Sequence, residues 1–158
     1  MAQKKKTKPK NHAIVNRRAS FDYALTEDLV VGIVLTGPET HTDRDGHIQL
    51  KGNFVSIKNN ELWLNNASFS IKLNQKGDAN ARSIDTTPRK LLAKRKQITT
   101  LAERKKQGMT IVPTKLLSQG RHIKLVIALG KGKKLYDKRE TLKRRQQDME
   151  SRRAIAGR

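Results

Sequence analysis

The stretch HIQLKGNFVSIKNNELWLNNASFSI, His47 to Ile71, leaves few folds open. Ile48 and Leu50, then Phe54, Val55 and Ile57, then Leu62 and Leu64 fall mostly two apart with polar residues between. That period turns one side of an extended chain to a core and the other to water. Asn59-Asn60 supplies a tight turn, because asparagine tolerates the left-handed backbone that a hairpin needs. This is a meander of short strands, and its edges must be paired or covered.

The flanking sequence extends the pattern. Leu29–Leu35 reads as a buried strand, with Gly32 at a bulge or sharp bend. Pro38 opens a turn or short helical turn, and Asp45-Gly46 reads as a hairpin. Asn74–Pro88 has no apolar period and reads as a loop. Pro88 then suits the first position of a helix carrying Leu91, Leu92, Arg95 and Ile98, and Thr99 or Thr100 caps a second helix to Lys106. Thr110–Leu117 and His122–Leu129 return to strands, with Gln119-Gly120 between them. The fold class expected is mainly β with short helices: a small, closed, OB-like barrel. A barrel is how short strands dispose of their edges. The expected organisation is a basic arm at 1–12, the barrel at 13–130 with a helical insertion near 88–107, and a basic tail at 131–158.

Charge says what such a barrel would meet. The net charge of the chain is +21. Residues 1–18 and residues 131–158 each carry a net +7, so the two flanks hold two thirds of the excess. The partner expected is anionic, with binding that weakens as salt rises. No run is apolar and long enough for a spanning helix, no signal-peptide core follows the first residues, and there is no cysteine. A cytoplasmic, monomeric, RNA-facing protein is expected.

Catalytic constellations are not found. The acids are scattered beside basic residues, and no nucleophile, phosphate loop or carboxylate pair stands out. His41 and His47 lie near Asp43 and Asp45, but that loop lacks the later ligands of a calcium loop and reads as polar surface. No cofactor is expected. RNA-binding chemistry is better represented. NRRASFDY, Asn16 to Tyr23, joins Arg17 and Arg18 to two aromatics; arginine pairs phosphates and an aromatic ring stacks on an unpaired base. Tyr23 is assigned to the core, and Phe21 is left between core and RNA. Arg89, Lys90, Lys94, Arg95 and Lys96 surround the expected helix, with Leu91 and Leu92 as packing residues. Aromatics make up only 4% of the chain, which favours readout of folded RNA over stacking along a single strand. In the tail, Leu135, Leu142 and Met149 recur every seven residues among Lys138, Arg139, Lys143, Arg144 and Arg145. That seam is too thin to fold alone, so the tail is expected to be disordered when free and helical on an anionic template, with Gly130 and Gly132 as its joint.

NRRASFDY, GIVLTGPE, ELWL, RKLL, MTIVP and ALGKGKKLYDKRETLKRR resemble, in this order, the small protein B (SmpB) family, the SsrA-binding proteins of bacteria. The resemblance runs from about Ile14 to Arg145. It implies an oligonucleotide-binding barrel that holds transfer-messenger RNA. It also implies a tail that enters the empty message channel of a stalled ribosome against small-subunit rRNA. Elongation factor Tu and alanyl-tRNA synthetase would act on the same RNA, and the protein itself would be no enzyme. Position by position, Asn16, Arg17, Arg18, Glu39, Arg44, Lys90 and Leu92 would lie on or support the RNA face, joined by Phe21 and Arg89. Gly132, Lys133, Lys134, Asp137, Lys138 and Arg139 would serve the ribosome, joined by Tyr136, Lys143 and Arg144. The chain departs from the family pattern at Phe21, Val30, Glu39–Arg44, Ala93, Lys94 and Leu117; at Phe21 the family's usual histidine is replaced by a ring that can only stack. The alternative reading from composition is a generic basic RNA chaperone or ribosome-associated RNA-binding protein.

Overall fold

The computed structural model describes residues 12–73, 81–120 and 122–156. Its elements, in order, are β1 (His12–Val15), α1 (Arg17–Asp22), β2 (Tyr23–Ile33), α2 (Gly37–Arg44), β3 (Ile48–Gln49), β4 (Phe54–Lys58), β5 (Glu61–Asn65), β6 (Ser68–Lys72), β7 (Arg82–Asp85), β8 (Arg89–Leu92), α3 (Arg95–Lys106), β9 (Thr110–Gln119), β10 (His122–Gly132) and α4 (Leu135–Ala156). The arm expected at 1–12 lies outside the described residues, apart from His12.

The main sheet runs β1-β9-β10-β2-β8-β5-β4, and β4 reaches back to β9. Six strands therefore form a ring whose last seam is one residue pair, Val55 opposite Ile111. β3, β6 and β7 form a second, small sheet. Inside lie Leu62, Leu64, Phe69, Ile111, Leu125 and Ile127, all fully buried, and α3 adds Ile98 and Leu101. The mainly β, barrel-like reading holds, but the expected full closure does not, since a single residue pair joins β4 to β9.

Several local expectations are corrected. Asn59 and Asn60 both adopt the left-handed backbone and join β4 to β5, as expected. Asp45-Gly46 is not a hairpin. It ends α2, with Gly46 at φ 75° and its N–H on the Asp43 carbonyl. β2 starts six residues before Leu29 and ends at Ile33, and it is only half-buried; Val31 is inside while Val30 is exposed. Its irregularity falls opposite Ala128–Gly130, where β2 carries an extra residue, and not at Gly32. Gly32 instead pairs with Leu92, and a Cβ there would come within 3.2 Å of the Leu92 Cβ. Asn74–Pro88 is not all loop, since β7 pairs with β6; positions 74–80 lie outside the described residues. Pro88 precedes a strand and not a helix. Arg89–Leu92 is wedged between β5 and β2, where ladder bonds outweigh its helix-forming side chains. One helix, α3, follows, with Thr99 and Thr100 inside it, their hydroxyls bonded to the carbonyls four residues back.

The root of the tail also differs from a flexible joint. Gly130 and Gly132 are paired with Leu25 and Tyr23 in the β10–β2 ladder. A Cβ at Gly130 would sit 3.0 Å from the Tyr23 Cβ and 3.1 Å from Leu25 Cδ2, so that glycine permits close strand contact. Tyr23 is half-buried there and stands outside the core cluster to which it was assigned.

Candidate nucleic-acid interface

β9 positions α1. Between Val126 and Ile127 the β9–β10 register shifts at Pro113–Thr114, a bulge where proline costs no ladder bond. Asn16 uses the carbonyls this frees. Its backbone N–H donates to Thr114 O at 2.7 Å and its Nδ2 to Pro113 O at 2.9 Å. Its Oδ1 accepts from the Ala19 N–H, capping α1. Asn16 is thus buried and holds α1 in place. Arg17 and Arg18, on the first turn, are exposed. Beside them is a groove of about 290 Å³ lined by Arg18, Tyr23, Asn53, Phe54 and Lys105. Lys105, from the last turn of α3, is 87 positions from Arg18, and sequence spacing carries no sign of their meeting. Asp22, which accepts from Arg18, lines the same groove, so a phosphate next to an unstacked base would meet Lys105, the two part-exposed rings and an arginine already shared with a carboxylate.

A second group surrounds α2 and β8. Glu39 accepts from Thr36 N and Thr36 Oγ1, closing the first turn of α2. Its other oxygen takes Arg89 Nε at 2.8 Å. Arg89 Nη2 lies 2.8 Å from Glu39 Oε1 and 3.0 Å from Asp85 Oδ2, but off its N–H directions, so these are ionic contacts and not hydrogen bonds. The Phe69 ring lies 4.0 Å from the guanidinium. The side chains of Arg89 and Glu39 are 3% and 7% exposed. Both were expected on or supporting an RNA face; they are buried and tie α2 to β8. Asp85 is held below the usual carboxylate range by the Thr87 N–H first, with Arg89 adding to it against the cost of burial. Lys90 is paired with Glu61 and partly exposed. Arg44 is exposed at the end of α2, and Leu92 is 54% exposed on β8.

The two groups are not one pocket. α1 leads into β2 at Tyr23, whereas β8 joins β2 at Gly32 and Ile33. Nine residues of strand span up to about 30 Å.

The tail residues form the third region. Gly132 ends β10, Lys133 and Lys134 link it to α4, and Tyr136, Asp137, Lys138, Arg139, Lys143 and Arg144 lie on the first half of α4. No described residue of α4 is buried, and Leu135, Leu142 and Met149 remain exposed on their seam. The tail was expected to be disordered when free and helical only on an anionic template; here it is the helix α4. Its root is fixed to α1. Lys133 N donates to Asp22 O at 2.9 Å, and Lys138 Nζ lies 2.8 Å from Asp22 Oδ1. Phe21 is half-buried under Lys138 and Arg145 and stands outside the core cluster, which removes the core option left open for it. The Lys138 hydrogen bond, more than its charge or Arg18, holds the Asp22 carboxyl below its usual range despite some burial. Among the described residues no three His, Asp or Glu side chains gather to hold a metal, and no helix is long and apolar enough to cross a membrane.

A family profile described as SmpB protein matches residues 13–157. An SsrA-binding protein of Ligilactobacillus salivarius (strain UCC118) is 41% identical over 152 residues, 95% of this chain and 96% of that one. An SsrA-binding protein of Streptococcus uberis (strain ATCC BAA-854 / 0140J) is 43% identical over 141 residues, 89% of each chain. A solved chain from "tmRNA-SmpB: a journey to the center of the bacterial ribosome" superposes with a TM-score of 0.62 at 31% identity. It covers 78% of this chain and 85% of that one.

Proposed function

This chain belongs to the SmpB family, and on that premise we propose that it binds transfer-messenger RNA and delivers it to stalled ribosomes for trans-translation. The barrel holds the RNA along the α1 groove and the β8 flank, with Arg17, Arg18, Arg44, Lys90 and Leu92 in contact and Asn16, Glu39 and Arg89 supporting them. The tail enters the empty message channel and meets rRNA with Lys133, Lys134, Lys138, Arg139, Lys143 and Arg144. The protein catalyses no step of its own. It works in the cytoplasm, where the ribosome is; elongation factor Tu and alanyl-tRNA synthetase reach it through the RNA.

One observation carries the tail's role: α4 is a helix of 22 residues that buries none of them. Isolated helices are marginal in water, and packing gives most helices their stability. A long basic helix that contributes nothing to the core is therefore kept for a partner, and its charge selects a polyanion.

The test is truncation after Lys134, which leaves β10 and its link to Asp22 whole. Transfer-messenger RNA affinity should persist and peptide tagging on stalled ribosomes should vanish. If RNA affinity were lost and tagging recovered at high protein concentration, the tail would be an RNA-binding arm. The generic chaperone reading would then be preferred.

A further inference from the structure

α1 and the root of α4 come from opposite ends of the chain, and their meeting is built around Asp22. Its backbone carbonyl accepts from Lys133 N. One carboxylate oxygen takes Lys138 Nζ at 2.8 Å and the other takes Arg18 Nε at 3.3 Å. Lys133 Nζ adds a bond to Ser20 O at 3.0 Å. Lys138 and Arg145, two turns apart on one side of α4, lie 5.9 and 5.7 Å from the Phe21 ring centroid. Asp137 closes the first turn of α4 by accepting from Lys134 N at 3.1 Å.

Asp22 makes an i,i+4 pair with Arg18 inside α1 and also reaches the far end of the chain. It is the last residue of α1, where the helix dipole disfavours an acid. The side-chain partner it receives from outside α1 is Lys138. One oxygen holds a tail cation and the other holds an arginine of the proposed RNA face.

We propose that Asp22 is a positioning residue for the tail: it sets the direction in which α4 leaves the barrel and ties that direction to occupancy of Arg18. The inference rests on the reading of α4 as the ribosome-facing tail. When an RNA phosphate draws Arg18 away, Asp22 keeps its whole charge for Lys138. RNA loading therefore tightens the seat of the tail.

The chain has no cysteine, so spin labels can be placed by Lys58→Cys on β4 and Gln147→Cys on α4, both exposed. Pulsed dipolar spectroscopy of the full chain should give one narrow distance distribution, narrower still with transfer-messenger RNA. Asp22→Asn should broaden it and Asp22→Glu should keep it narrow. In a tagging assay at limiting protein, Asp22→Asn should slow tagging by about two- to fivefold, the range of a partly exposed ion pair, and Asp22→Glu should restore it. An unchanged distribution in Asp22→Asn overturns the proposal, as does broadening with tagging at the parental rate. Broadening on RNA addition overturns the coupling to Arg18. Equal losses in Asn and Glu variants, with lowered melting temperature, make Asp22 structural only and also overturn it. Failure of the tail reading would show separately, as tagging that survives truncation after Lys134.

Discussion

Arg89→Ala removes one side of a nearly dry ion pair. Glu39 Oε1 loses its Arg89 Nε donor and the Nη2 charge beside it, while Oε2 keeps Thr36 N and Oγ1. The Ala67 carbonyl loses the Nη1 donor at 3.2 Å, and the Phe69 ring loses its planar cover. An orphaned charge in such a site costs about 3–5 kcal/mol, far above the about 0.2–1 kcal/mol of an exposed pair. For a chain of this size the melting midpoint should fall by about 10–15 °C. Arg89→Met with Glu39→Gln should cost less than the sum of the single changes, because neither then strands a charge. Trp63, the lone tryptophan, lies on β5 beside β8 and reports urea unfolding by fluorescence. RNA titrations across salt complete the assay. Unchanged stability in Arg89→Ala, with the salt slope of RNA binding reduced by about one, would make Arg89 a phosphate contact and refute the burial argument.

The two glycines at the tail root should separate. Gly130→Ala meets Tyr23 and Leu25 and should cost about 1–3 kcal/mol in urea unfolding, whereas Gly132→Ala has nothing within 4 Å and should be near neutral. Leu142→Asp with Met149→Asp should leave unfolding within about 0.5 kcal/mol of the parent, because both are 53% exposed, yet lower tagging. Asp22 titrates below its usual range, so its contribution to the α1–α4 seat is present at neutral pH and is lost only as pH falls below about 4. Label distances recorded from pH 7 to 3 check this, and a change centred near pH 6 would implicate a histidine instead.

Alternation found β4 and β5 because a half-buried strand writes its period into the sequence, and Asn59-Asn60 found their turn for a similarly local reason. β8 was invisible because Arg89–Leu92 is built of helix-forming residues, and its strand state comes from neighbours on both sides. β7 was missed because it pairs on one side only and offers a single apolar residue, the exposed Ile84. The basic residues of the candidate interface were legible as types, but their burial was not. Arg89 and Glu39 are 50 residues apart and Asp22 and Lys138 are 116 apart. No local pattern records such pairs; the topology brings them together.

β10 runs between β9 and β2 and leaves the barrel almost directly as α4. At about 1.5 Å per residue, the 22-residue helix reaches about 33 Å from its root. A tilt of about 10° at that root would carry the far end by about 6 Å, roughly the pitch of one helical turn. The molecule is thus a lever as well as a binding surface. Tolerance at the tip is set by a handful of bonds at the pivot, and a change too small to disturb the barrel can still move Arg153 out of reach of whatever it is meant to touch.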